Sequence, residues 1–193
     1  MKGPRGKIPK KDWFDWRWQM RNRIRTLPRL ARFSGNPPGS TAALRTVVER
    51  HPFGVTPYYG SLMEWDDEGD PLRRQCFPDT RELEVLPGDA DDPLGERAQT
   101  PVPGLIHRYR DRCLILVTNR CATYCRHCNR RRLWTEPPFI PTPGRTRRQV
   151  DYISANRSIR EVILSGGDPL ILEDEVIDGL LKPLRTIPHV EVI

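Results

Sequence analysis

Apolar residues recur at helical spacing near the start of the chain. Trp13, Trp16, Met20, Ile24 and Leu27 fall on one stripe, with Asp12 placed to cap it and Pro28 to close it, so one helix is predicted over this stretch. Phe14 and Trp18 lie on the opposite side, which predicts packing on more than one face and leaves room for a homo-oligomeric contact. Ala43, Leu44, Val47 and Val48 mark a second helix that opens after Ser40 and Thr41 and stops near Pro52, and Tyr58 to Met63 suggest a short third. From Asp66 to Gly104 the periodicity disappears. Asp-Pro at 70–71 and 92–93 and Pro-Gly at 87–88 and 103–104 predict a long wrapping segment with short helical turns, one around Arg81–Val85.

After Gly104 the pattern changes to short unbroken apolar runs. Cys113-Leu114-Ile115-Leu116-Val117 and Val162-Ile163-Leu164 read as strands buried on both faces, and Val190-Glu191-Val192-Ile193 begins a third. A helix containing Val150 and Ile153 separates the first two. Val176, Ile177, Leu180, Leu181 and Leu184 form another, ending before Pro188. Strand, helix, strand, helix, strand predicts parallel βα units, so the fold class is α/β. The expected division is a helical N-terminal region with its wrapping linker over 1–104 and the first part of a (βα) barrel over 105–193. Because the last predicted strand has no helix after it, the expectation is a barrel cut short after about three strands, as in a piece of a longer protein.

Composition narrows the class. With 193 residues, 37% hydrophobic and 30% charged, the chain suits a globular protein, and no apolar stretch nears the roughly 20 residues of a membrane span. Its basic first residues lead into Trp13 and Phe14 rather than an apolar signal core, so a cytoplasmic location is expected and no membrane partner. The net charge of +7 raises nucleic acid as a partner. The excess is dispersed over Lys2–Lys11, Arg17–Arg32 and Arg126–Arg148, which reads better as a solvated arginine-rich surface, and nucleic acid is not expected.

Five cysteines, three of them within eight residues, point to a metal rather than to a disulfide framework. Cys121, Cys125 and Cys128 follow the first apolar run directly, at the strand end where βα barrels carry their chemistry. Three thiolates on one loop can hold three irons of a four-iron cube and leave the fourth open. Zinc is the competing reading, with His127, Cys113 or Cys76 as fourth ligand, but no second cysteine pair follows. After the second run comes Ser165-Gly166-Gly167-Asp168-Pro169, whose glycines and exposed amides could admit a polar ligand. It could equally be a strand-to-helix turn with Asp168 as its cap.

The C-x3-C-x2-C spacing resembles the radical S-adenosylmethionine (SAM) superfamily signature, and the Ser165–Pro169 segment resembles that superfamily's glycine-rich motif. The likeness narrows at Trp13–Arg25, Thr56-Pro57-Tyr58-Tyr59, Pro71-Leu72-Arg73-Arg74-Gln75, Leu86-Pro87-Gly88, Asp92–Glu96, Pro101–Leu105, His107-Arg108-Tyr109, Cys125–Arg132 and Leu164–Leu170. In these the chain resembles the lysine 2,3-aminomutase family, glutamate-specific relatives included. The resemblance implies an isomerase. A 5′-deoxyadenosyl radical starts the shift of an amino acid's α-amino group to its β carbon, while pyridoxal phosphate carries the nitrogen. It implies a [4Fe-4S] cluster on Cys121, Cys125 and Cys128, and SAM contacts from His127, Ser165, Gly166, Gly167 and Asp168. Pyridoxal phosphate contacts are implied for Tyr109 and Arg112, and for Arg130 a pairing with the substrate carboxylate. It also implies an electron donor as partner and a Schiff-base lysine beyond residue 193, so that this piece alone would be inactive and the choice of amino acid open. Arg131 and Arg132 are expected on a helix surface or in local ion pairs, and Cys76 and Cys113 as ordinary half-buried thiols. The alternatives are a radical SAM enzyme acting on tRNA or a protein, and a non-catalytic metal-stabilised module.

Overall fold

A computed structural model describes residues 8–35 and 42–193. Two compact units make up the chain: residues up to Asp89 with Cys121–Thr135, and Ala90–Arg120 with Glu136–Ile193.

The first unit is built of short helices: α1 (Lys10–Trp13), α2 (Trp16–Arg21), α3 (Leu27–Ser34), α4 (Ala42–Arg50), α5 (Pro57–Gly60) and α6 (Pro71–Cys76). The single tryptophan-rich helix expected over 13–27 is broken in three. Asp12 sits inside α1, whereas Asp15 caps α2 by accepting from Arg17 N at 2.9 Å. Ile24 leaves the helical path altogether, pairing antiparallel with Val55 through N–H···O bonds of 2.8 and 3.1 Å. Pro28 opens α3 rather than closing a helix, since proline's missing N–H costs nothing in a first turn. The helical stripe was therefore a coincidence of spacing: Trp16 and Phe14 are exposed, and Trp13, Ile24 and Leu27 are buried from three different segments. The α4 helix is as expected, with Leu44 and Val47 buried; Ser40 and Thr41 lie outside the described residues. The core joins Ile24, Leu27, Leu30, Leu44, Phe53 and Val55 with Met63 and Cys76. The wrapping segment holds, besides α6, 3-10 turns at Thr80–Leu83 and Arg97–Gln99.

The second unit is a mixed α/β sheet of β1 (Leu105–Tyr109), β2 (Arg112–Thr118) and β3 (Glu161–Gly166) in the order β1-β2-β3. β2 and β3 are parallel, joined through α7 (Pro143–Ala155), and α8 (Asp174–Arg185) follows β3, as the alternation predicts. Two features differ from expectation. β1 is an additional strand, antiparallel to β2 through the two-residue turn Arg110–Asp111. It escaped notice because only Leu105 and Ile106 in it are apolar. Val190–Ile193 makes only an isolated parallel bridge, Glu161 with Val192, rather than a strand.

The strands are not buried on both faces. Cys113, Ile115 and Val117 are buried while Leu114 and Leu116 are half-buried, and Ile163 is 38% exposed. The covered face meets Ile153 of α7 and Leu180 and Leu184 of α8 in one core. Each such side chain contributes about 1.5–3 kcal/mol by leaving water. Asn119, itself buried, donates from Nδ2 to the Glu136 and Pro137 carbonyls (3.2 and 3.1 Å) and accepts at Oδ1 from Phe139 N (3.2 Å). One side chain thus joins the residues that flank the 121–135 excursion.

Candidate active site

The cysteine loop is assembled against its own unit by side chains rather than by regular structure. Arg126, between the second and third cysteines, is nearly buried against Glu82, with side-chain exposures of 9% and 13%. The contact is two-pronged, Nε to Oε1 at 2.9 Å and Nη2 to Oε2 at 2.6 Å. The same guanidinium donates to the carbonyls of Pro52 (3.0 Å) and His51 (3.1 Å). A planar fork backed by two further carbonyl acceptors is the geometry in which a buried charge pair can hold. Glu82 also closes a capping box by accepting from Asp79 N at 2.9 Å.

Next to this clamp is a layered stack. The Tyr124 and Trp134 rings lie 4.8 Å apart and 7° from parallel. Arg23 lies 5.0 Å from the Tyr124 centroid, and Arg126 5.6 Å from that of Trp134. Two cations thus flank two π faces, an attraction that desolvation strengthens. Arg23 also donates to the Cys121 carbonyl, and Tyr124 N to that of Gly54 at 2.9 Å.

The cysteines are all outside disulfides. Cys121, Cys125 and Cys128 are half-buried, whereas Cys76 and Cys113 are buried. Burial pushes the thiols of Cys76 and Cys113 up to about 12, so both stay protonated, as ordinary thiols do. Cys128 N donates to the Cys125 carbonyl at 3.0 Å, closing a turn. Two of the three loop sulfurs face N–H donors: Cys128 Sγ from Arg130 N at 3.4 Å, and Cys125 Sγ from Gln75 Nε2 at 3.6 Å. Among the described residues no three His, Cys, Asp or Glu side chains lie grouped as a ready-made metal site. The loop fits a thiolate-held cluster by its donor set and by the N–H groups aimed at sulfur, which stabilise a charged iron–sulfur unit.

His127 is exposed. Arg130 precedes the 3-10 turn Arg131–Trp134, on which Arg131 and Arg132 are half-buried. Sequence reasoning gave no role to Arg23, Gln75, Glu82 or Arg126. The signals were Arg23 in the Trp13–Arg25 motif, Gln75 in the Pro71–Gln75 motif, Glu82 in the turn expected around Arg81–Val85 and Arg126 inside the cysteine spacing.

In the second unit, the glycine pair has a use that the sequence left open. Gly166 has φ +112°, and a Cβ on it would overlap the Thr118 carbonyl oxygen; one on Gly167 would overlap the Arg120 carbonyl oxygen and lie 2.7 Å from Arg120 N. Their amides are not open to a ligand in the way expected. Gly167 N donates to Thr118 O (2.5 Å) and Asp168 N to Arg120 O (2.8 Å). The Asp168 carboxylate accepts from Leu170 N at 3.0 Å, capping the turn Pro169–Ile171. So the glycines let the exits of β2 and β3 run backbone against backbone.

Tyr109 and Arg112 meet at the hairpin turn, both exposed. Arg112 lies 5.9 Å and Arg108 5.6 Å from the Tyr109 centroid. Arg112 also pairs with Asp111 (3.3 Å) and Glu161 (3.9 Å), and its hydrogen bond holds Asp111 below the usual carboxylate range. Arg112 begins β2 and Thr118 ends it, a span of roughly 20 Å at strand rise.

A loop of three thiols at the end of a strand, followed one βα unit later by a Gly-Gly turn, defines a radical SAM chain, and residues 115–192 match the model of the Radical SAM superfamily. The chain belongs, more narrowly, to the lysine 2,3-aminomutase family. It is 42% identical to L-lysine 2,3-aminomutase of Clostridium subterminale over 182 residues, covering 94% of this chain and 44% of that protein. It is 40% identical to L-lysine 2,3-aminomutase of Bacillus subtilis over 190 residues (96% and 40%) and 35% identical to glutamate 2,3-aminomutase of Clostridioides difficile over 182 residues (94% and 43%). The chain thus spans less than half the length of these relatives. Among the described residues no helix is long and apolar enough to cross a membrane.

Proposed function

We propose that this chain is the cluster-binding portion of a cytoplasmic radical SAM 2,3-aminomutase that moves the α-amino group of a lysine-like or glutamate-like amino acid to the β carbon. The observation that carries the reading is the Cys121–Cys128 loop, with N–H donors facing two of its three sulfurs. In this reading residues 1–104 frame the site and 105–193 begin the barrel. Cys121, Cys125 and Cys128 hold three irons as thiolates. His127 lies beside the adenine, and Ser165, Gly166, Gly167 and Asp168 meet the methionyl ammonium through carbonyl and carboxylate oxygens, since the Gly167 and Asp168 amides are given to Thr118 and Arg120. Arg130 matches a planar fork to the substrate carboxylate.

Tyr109, with Arg108 and Arg112 beside its ring, offers an aromatic face and guanidinium groups of the kind that hold an aromatic phosphate. Bound together, the cluster, SAM and pyridoxal phosphate supply one-electron chemistry and a carrier for the migrating amino nitrogen, while the protein supplies orientation.

The test is anaerobic reconstitution of the full-length protein with iron and sulfide. A brown, oxygen-sensitive species that releases 5′-deoxyadenosine from SAM under dithionite, and then converts lysine or glutamate to its β isomer, is expected. A colourless zinc protein would remove the reading.

A further inference from the structure

Gln75 touches the cysteine loop twice. Its main-chain carbonyl accepts from Arg126 N at 2.7 Å, and its side-chain Nε2 donates to Cys125 Sγ at 3.6 Å. The other end of that amide is also committed, because Tyr59 O–H donates to Oε1. The two ends of a carboxamide differ in kind, so the partner at one end decides what the other offers. With a hydroxyl donating to Oε1, the NH2 group must face the sulfur. Flipped, the amide would turn its oxygen toward the sulfur, a repulsive contact with a thiolate, and would give up the bond that the Tyr59 hydroxyl now donates. The relay runs from α5, which carries Tyr59, through α6, which carries Gln75, to the loop, all within one unit.

We propose that Gln75 is a positioning residue that raises the reduction potential of the cluster through its N–H···S bond to Cys125, with Tyr59 fixing the direction of the amide. This rests on the reading that Cys125 is a cluster ligand. An N–H dipole aimed at a ligand sulfur stabilises the additional negative charge that one electron brings, so the reduced state gains more than the oxidised one. The electron comes from an external one-electron reductant, dithionite in the test, and no bond of the relay breaks.

The experiment uses the anaerobically reconstituted full-length protein without SAM, poised with mediators at the wild-type midpoint and read by the electron paramagnetic resonance of the reduced cluster. Iron and sulfide are counted in the same samples. Gln75→Leu is expected to keep wild-type iron content while its reduced-to-oxidised ratio falls about tenfold, ~59 mV for a one-electron couple. Tyr59→Phe should shift it the same way by about threefold. Should Gln75→Leu fail to fold, Tyr59→Phe, which removes one oxygen atom, carries the test by itself. Full iron content with an unchanged ratio in the variants overturns the relay and leaves the cluster reading standing. A wild type that takes up no iron sinks that reading, and the relay with it.

Discussion

The turns that follow β2 and β3 are built on opposite principles. After β2, the cysteine loop is held mostly by side chains, the Arg126–Glu82 fork, the Arg23–Tyr124–Trp134–Arg126 stack and the Gln75 amide, with main-chain bonds from Tyr124 N and Arg126 N added to them. After β3, the Gly166–Gly167 turn is held by bare backbone lying on the backbone of 118–120. A turn made of backbone has no side chain that can give way, so it is intolerant of a single added carbon. A turn made of long side chains yields to small changes of shape but not to the loss of a charge partner, because the survivor is left buried.

The sharpest challenge to that contrast is Gly167→Ala. Its methyl group would meet the Arg120 carbonyl and amide, and a loss of about 4 kcal/mol or more is expected in urea denaturation; a loss below about 1 kcal/mol would mean that the backbone contact is soft. Arg126→Ala comes next. It leaves the Glu82 carboxylate nearly buried, at an expected cost of about 3 kcal/mol by the same measurement. Arg126→Lys should recover only part of this, since it restores the charge without the fork.

A smaller effect is expected from pH, at the base of the same clamp. His51 is buried and its Nε2 has no hydrogen-bond partner. Burial first, then Arg131, with Arg50 and Arg126 adding and Glu82 opposing, hold its imidazole below the ordinary value of 6.5. A depressed folded-state value means that the unfolded chain binds the proton more readily. The contribution of neutral His51 is therefore intact above the unfolded value and is lost as pH falls through the folded one. Tm should drop between about pH 7.5 and pH 5.5, and by less in His51→Asn. Smallest of all, Cys113→Ala and Cys76→Ala should leave iron content at the wild-type level, as both lie outside the loop and stay protonated; loss of iron from either would redraw the ligand set.

The parallel β2–α7–β3–α8 path was legible because apolar runs alternate with helical spacing, and the three ligand candidates because cysteine clustering has few other causes. The N-terminal reading failed at Ile24, where a helical spacing concealed an extended residue that pairs with Val55. Periodicity cannot report a partner 31 positions away. β1 was hidden for a related reason: Tyr109 joins the strand by pairing with Arg112 across an irregularity at His107 and Arg108, not by any pattern of its own. The glycine pair could be read as a ligand cradle or as a turn, and only the positions of Thr118 and Arg120 show where its amides are spent. Arg126 and Glu82 lie 44 positions apart, and no local pattern joins them.

Asn119 gives the excursion a property of its own. Because this one amide links the residues on either side of 121–135, the entropy of closing the loop is met at its neck, by groups that belong to none of the cysteines. Lengthening the segment between neck and clamp would then be mild, since doubling a flexible loop adds only about 0.6 kcal/mol. Chains of this build can lengthen the segment between positions 120 and 126 while the neck and the Arg126–Glu82 clamp keep their partners.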